Sequence, residues 1–147
     1  MKELLIHHPL RLLVLLPSLP HFQALKKLDL LQDNSEWLKS LNIHMEFAVD
    51  CAIEDQNALQ HYFDFPITIN SHPYNEIAQS YGCIQSKPVF GTGRQYICPA
   101  LLLFDQDLLL TQTHRINPSA LKHILQVALK VQHQHLQKKL KKMFDTF

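Results

Sequence analysis

The residues best suited to covalent chemistry in this chain are its three cysteines, Cys51, Cys83 and Cys98. A thiol becomes a nucleophile once a helix N-terminus or a nearby positive charge stabilises its thiolate. No two of them form C-x-x-C, so thiol–disulfide exchange needs an intermolecular partner, or two thiols distant in sequence that meet in the fold. An odd number without close spacing makes no disulfide framework and fits a reducing compartment. Cys51 follows a predicted strand, at the carboxyl edge where α/β sheets keep their sites; its plainer role is to begin a helix. Cys83 follows a helix end and reads as structural. Cys98 opens the most apolar run of the chain, where a cysteine ordinarily packs as a small hydrophobe.

Ten histidines raise the question of metal chemistry. His7 and His8 adjoin Pro9, and His133 and His135 stand two apart, a spacing that puts them on different faces of a helix. No H-x-x-x-H or Cys/His ligand set appears, so no metal site is expected. Glycine is scarce, three residues where average usage of about 7% predicts roughly ten. Neither a G-x-G-x-x-G nor a Walker loop is present, so no phosphate-bearing cofactor is expected.

The elements that must position these groups follow from hydrophobic patterning. The 147 residues are expected to form one domain, residues 1–147,. An apolar fraction of 46% with 18% charged residues excludes a disordered chain,. A net charge of +1 gives no electrostatic footprint for nucleic acid,. Arg11 to Leu16, ended by Pro17, reads as a strand buried on both faces. The run is too short for a membrane span, and Glu3, His7, His8, Pro9 and Arg11 interrupt any signal peptide, so a cytoplasmic protein is expected.

After the turn from Pro17 to Pro20, His21 to Leu41 has helical spacing, with a break near Asp33-Asn34-Ser35 that can cap a second segment from Glu36. Ile43 to Val49 alternates as a strand, Asp50 to Phe63 reads as a helix, and Phe65 to Ile69 as a short strand. Asn75 to Tyr81 is a helix with Gly82 as its C-terminal cap. Cys83 to Tyr96 lacks periodicity and reads as a loop or an irregular pair of short strands. Pro99 to Phe104 and Leu108 to Thr111 form a hairpin across Asp105-Gln106-Asp107. Asn117 and Pro118 open a last helix whose basic end, Lys138 to Lys142, runs toward the end of the chain. The order predicts an α/β sandwich of three layers with a mixed sheet.

Several stretches resemble the peroxiredoxins, the alkyl hydroperoxide reductase/thiol-specific antioxidant group of the thioredoxin-like superfamily. Phe65-Pro66-Ile67-Thr68, followed by Asn75-Glu76-Ile77-Ala78-Gln79-Ser80-Tyr81-Gly82, is similar to their "FP-[LI]-x…x-E-[VI]-A-x-x-Y-G" stretch. Pro99 to Asp105 is similar to the "P-T-x-F-L-I-D" strand, and Arg11 to Leu16 to the first core strand. The matches span most of Arg11 to Leu129 and imply a thioredoxin-like α/β/α sandwich with a mixed central sheet.

The resemblance implies a reactive P-x-x-x-[ST]-x-x-C after the first strand, and here the chain departs from it. Laid from Pro17, the hydroxyl position is His21 and the nucleophile position is Ala24; laid from Pro20, these positions are Ala24 and Lys27. The family's arginine falls on Pro99, with Arg94 nearby but out of register. Pro99 matches the cis-proline place, which would set Cys98 beside the vacated nucleophile. The expectation is a peroxiredoxin-like protein without peroxidase activity, acting by binding or oligomerisation. The alternative is a thiol-dependent oxidoreductase or atypical peroxidase using Cys98 or Cys51. The stripe of the last helix, continued by Met143, Phe144 and Phe147, suggests a homo-oligomer or another protein partner.

Overall fold

A computed structural model of the protein describes residues 8–16, 22–49, 53–69, 74–89 and 92–145. Strand β1, Leu10–Leu16, is buried at every position except Arg11. A strand so apolar on both sides belongs at the centre of a sheet covered on both faces, and it pairs with β2, Ile43–Val49, in parallel and with β6, Ala100–Asp105, antiparallel. Strand β3, Thr68–Ile69, extends the parallel side, and β7, Leu108–Thr113, pairs antiparallel with β6, giving the order β3-β2-β1-β6-β7. The predicted mixed sheet is present.

Alternation along β1 divides the core. Leu12, Val14 and Leu16 join the larger cluster with Leu28 and Leu31 of α1 (Phe22–Asp33), Leu38 of α2 (Ser35–Ser40), Leu59 of α3 (Ile53–Tyr62), and Leu121, Ile124 and Ala128 of α5 (Pro118–Asp145). Leu13 and Leu15 face the other way, against Ile77 and Ala78 of α4 (Tyr74–Ser80) and Cys83. The sheet therefore lies between helices on both faces, as a thioredoxin-like α/β/α sandwich requires.

Local chemistry accounts for the boundaries. The expected break in the first helical run falls at Asn34, but its side chain does not cap α2; its amide N–H donates back to the Leu30 carbonyl at 2.8 Å. Asn117 does cap α5, its Oδ1 accepting from the Ala120 N–H at 2.8 Å, with Pro118 in the first helical position. Gly82 ends α4 at φ +68°, a left-handed conformation that glycine adopts without Cβ strain. The third strand is shorter than the predicted Phe65–Ile69, because Pro66 has no N–H to give a ladder.

The stretch expected to be a loop or an irregular pair is a regular hairpin. Strands β4, Ile84–Val89, and β5, Thr92–Ile97, pair from Ile84↔Ile97 to Val89↔Thr92 and form a separate two-stranded sheet. Pro88 opposite Gly93 disguised the strands in sequence, yet such a pair is tolerated in a ribbon outside the main sheet.

Candidate functional site

The parallel strands β1 and β2 both finish at one edge of the sheet, the place where α/β folds gather reactive groups. Ala24 and Lys27, the two positions on which the resemblance sets the nucleophile, are the third and sixth residues of α1, the helix that follows β1. Pro17, His21 and Cys51 lie outside the described residues.

Strand β6 brings the remaining candidates to the same edge. Ala100 pairs with Leu15, so Pro99 and Cys98 continue past the end of β1. Pro99 is half-buried, and Cys98 is buried at 9% exposure. Arg94 falls in β5, opposite Lys87.

The fold also joins two thiols that are fifteen positions apart in sequence. Cys83 and Cys98 stand at the root of the β4–β5 hairpin, one step beyond the Ile84↔Ile97 pair. The Cys98 N–H donates to the Cys83 carbonyl at 2.8 Å. Cys83 is fully buried among Leu13, Leu15, Ala78 and Phe104. Burial, reinforced by the neighbouring Cys98, pushes its thiol pKa up. The Gln112 side-chain N–H groups lie 2.6 Å from the Tyr81 carbonyl and 3.8 Å from Cys83 Sγ. This setting keeps Cys83 protonated, the opposite of what a reactive thiolate needs.

A second constellation, invisible to linear spacing, lies at the other end of β1. His8 Nε2 is 2.6 Å from Asp105 Oδ1, and His135 Nε2 is 3.3 Å from Asp105 Oδ2. Burial raises the Asp105 carboxyl, but hydrogen bonds and charge from His8 and His135 together outweigh it and hold the pKa below the ordinary value. The signal available in sequence was only that His8 precedes β1 and Asp105 ends its antiparallel neighbour. His135 is added by a helix whose rotation the sequence does not reveal.

On the helical side, α1, α2 and α5 enclose a groove of about 340 Å³ lined by Leu30, Trp37, Leu41, Leu121, Leu125 and Leu129. Trp37 is 63% exposed and Leu129 58%. Beyond the groove α5 continues with Leu140, Met143 and Phe144, all exposed. No helix among the described residues is long and apolar enough to cross a membrane.

Solved structures similar to this chain include peroxiredoxins. The chain is similar to the bacterioferritin comigratory protein of Xanthomonas campestris, whose structures concern alkyl peroxide reduction, with a TM-score of 0.66 and 11% identity over 88% of this chain and 81% of that one. It is similar to peroxidoxin BcpB of Mycobacterium tuberculosis at TM-score 0.64 and 12% identity, covering 88% and 84%. Thioredoxin peroxidase I of Plasmodium yoelii gives 0.58 and 18% identity over 89% and 77%. No protein-family model matches the sequence, and no curated protein matches it. These likenesses show the fold, a thioredoxin-like α/β/α sandwich of the kind found in those structures.

Proposed function

We propose that this chain is a peroxiredoxin-like protein without peroxidase activity, which acts by binding and self-association. One observation supports the reading: Ala24 and Lys27, the two positions on which the resemblance sets the nucleophile, both fall in α1 and neither is a thiol. The described thiols do not replace it, since Cys98 is buried and burial raises Cys83. A helix N-terminus can stabilise only a thiolate that is present.

The surface supports a binding role, with a second copy of this chain as the occupant of the groove. The apolar face of α5 runs from Leu121, Leu125 and Leu129 in the groove to Leu140, Met143 and Phe144 in the tail. Two antiparallel copies crossing near Gln132 set the tail of each against the groove of the other. Lys138, Lys139, Lys141 and Lys142 then approach Asp33 and Glu36 beside the partner's groove, all of them exposed. Such an arrangement is self-complementary, as a two-fold interface must be. Sedimentation of the full chain tests this: a dimer that Leu140→Asp converts to monomer supports it, and a wild-type monomer at tens of micromolar contradicts it.

A second reading rests on the Cys83–Cys98 juxtaposition. A peroxide would oxidise the two thiols to a disulfide, taking two electrons and two protons and leaving water and an alcohol; a thiol reductant would then restore the pair. Paired residues in an antiparallel ladder have Cα atoms about 5.5 Å apart, within disulfide reach. The raised Cys83 pKa disfavours this reading.

A further inference from the structure

The cluster at the amino end of β1 is separate from the thiol edge. The seven residues of β1 set the two ends about 20 Å apart. His8 comes from the segment before β1, Asp105 from the end of β6 and His135 from α5. The two imidazole rings stack with centroids 3.6 Å apart and planes 20° from parallel. One potential ligand atom from each residue lies within 4.8 Å of the other two.

We propose that His8, Asp105 and His135 form a binding site for a divalent transition-metal ion, best matched to Zn²⁺, completed by water. Two imidazole nitrogens and one carboxylate oxygen suit zinc and its neighbours, whereas magnesium and calcium favour all-oxygen sets. Three protein ligands leave the fourth tetrahedral position open. The side chains are 24%, 18% and 35% exposed, so the site is held by the fold yet open to solvent.

Its parts are fixed before any ion arrives. Gln132, three residues before His135 on α5, donates to the His8 carbonyl at 2.6 Å and ties the segment before β1 to that helix. The Leu10 N–H donates to the Asn42 carbonyl at 3.0 Å, a second tie on the same segment. Tetrahedral bonds of about 2.0–2.1 Å put ligand atoms roughly 3.3 Å apart. The 2.6 Å contact between His8 and Asp105 therefore opens slightly as the ion enters. As the ion binds, the hydrogen that each Nε2 shares with Asp105 in the free site passes to solvent or to Nδ1 of its ring. The freed Nε2 lone pair bonds the ion, and the ion sheds water in exchange; no electron transfer is involved.

Titration calorimetry of the full chain with Zn²⁺ alone tests the site. Wild type is expected to bind one ion that the His8→Gln/His135→Gln double variant binds at least tenfold more weakly, because loss of groups that merely orient ligands already costs about 10–100-fold. Asp105→Asn is expected to weaken the same site. Equal affinity in wild type and the double variant overturns the proposal, as does the absence of a one-to-one site. Should the variants fail to fold, a Zn²⁺-soaked wild-type crystal decides. Anomalous density bonded to His8 Nε2 and His135 Nε2 supports the site, and density only at other histidines or none at all overturns it.

Discussion

The buried side chain of Gln132 donates a hydrogen bond to the backbone carbonyl of His8, 2.6 Å away and 124 positions earlier in the chain. The same amide nitrogen donates to the Leu41 carbonyl at 2.8 Å. One side chain of α5 thus fastens both the approach to β1 and the end of α2, where the two segments lie side by side.

Gln132→Leu removes both donors while keeping an apolar side chain of similar size. Two carbonyls lose their partner, and an unsatisfied buried polar group costs about 1–3 kcal/mol. Urea unfolding is expected to show a loss in that range. A loss below about 0.5 kcal/mol, the level of an ordinary surface change, would mean that the amide is not an anchor.

Gly82 separates conformational strain from crowding. Its φ is +68°, and a Cβ built there meets nothing within 4 Å. Gly82→Ala is therefore expected to destabilise by roughly 1–2 kcal/mol through backbone conformation alone. Gly82→Asn is expected to cost less, since asparagine tolerates that region better. Equal losses from the two variants in denaturant unfolding would contradict this origin.

Much of this architecture was legible because it rests on local signals. Leu12 to Leu16 announced a central strand, and Asn117-Pro118 announced the start of α5, because burial on two faces and helix capping leave marks within a few residues. The β4–β5 hairpin was legible only as one of two alternatives, a loop or an irregular pair of short strands, as Pro88 and Gly93 erase the alternation that identifies strands. At the thiol edge, the motif spacing offered Ala24 or Lys27 for the nucleophile, an expectation that the peroxide assay tests. The meeting of Cys83 with Cys98, and of His8 with Asp105 and His135, was not legible. Those contacts depend on the β1–β6 register and the rotation of α5, which are set by packing of the whole molecule.

Cys83 makes stability depend on pH in a predictable direction. Its folded-state pKa is raised by burial and by Cys98, so the native state keeps a proton that the unfolded chain releases. The resulting stabilisation is complete below the unfolded thiol pKa, about 8.5. It is lost as pH rises through the folded value. Wild type is expected to lose more stability than Cys83→Ala between about pH 8 and pH 10. Identical alkaline losses would place the effect elsewhere. Iodoacetamide is likewise expected to label Cys83 far more slowly in native than in unfolded protein, as read by mass spectrometry.

The tail of α5 offers a test of self-association that leaves the core intact. Met143 and Phe144 are 51% and 72% exposed, so Met143→Lys/Phe144→Lys is expected to change the unfolding free energy of the monomer by no more than about 0.5 kcal/mol. It is expected to weaken the dimer at least tenfold in sedimentation equilibrium. An unchanged association constant would remove the tail from the interface.

The central claim is that a peroxiredoxin-type fold persists here without the peroxidase. Consumption of hydrogen peroxide by the full chain with excess dithiothreitol measures it directly, beside Cys51→Ser and Cys98→Ser variants. The expected result is a rate no greater than that of reductant alone for all three proteins. Catalytic turnover in wild type that either substitution abolishes would contradict the account.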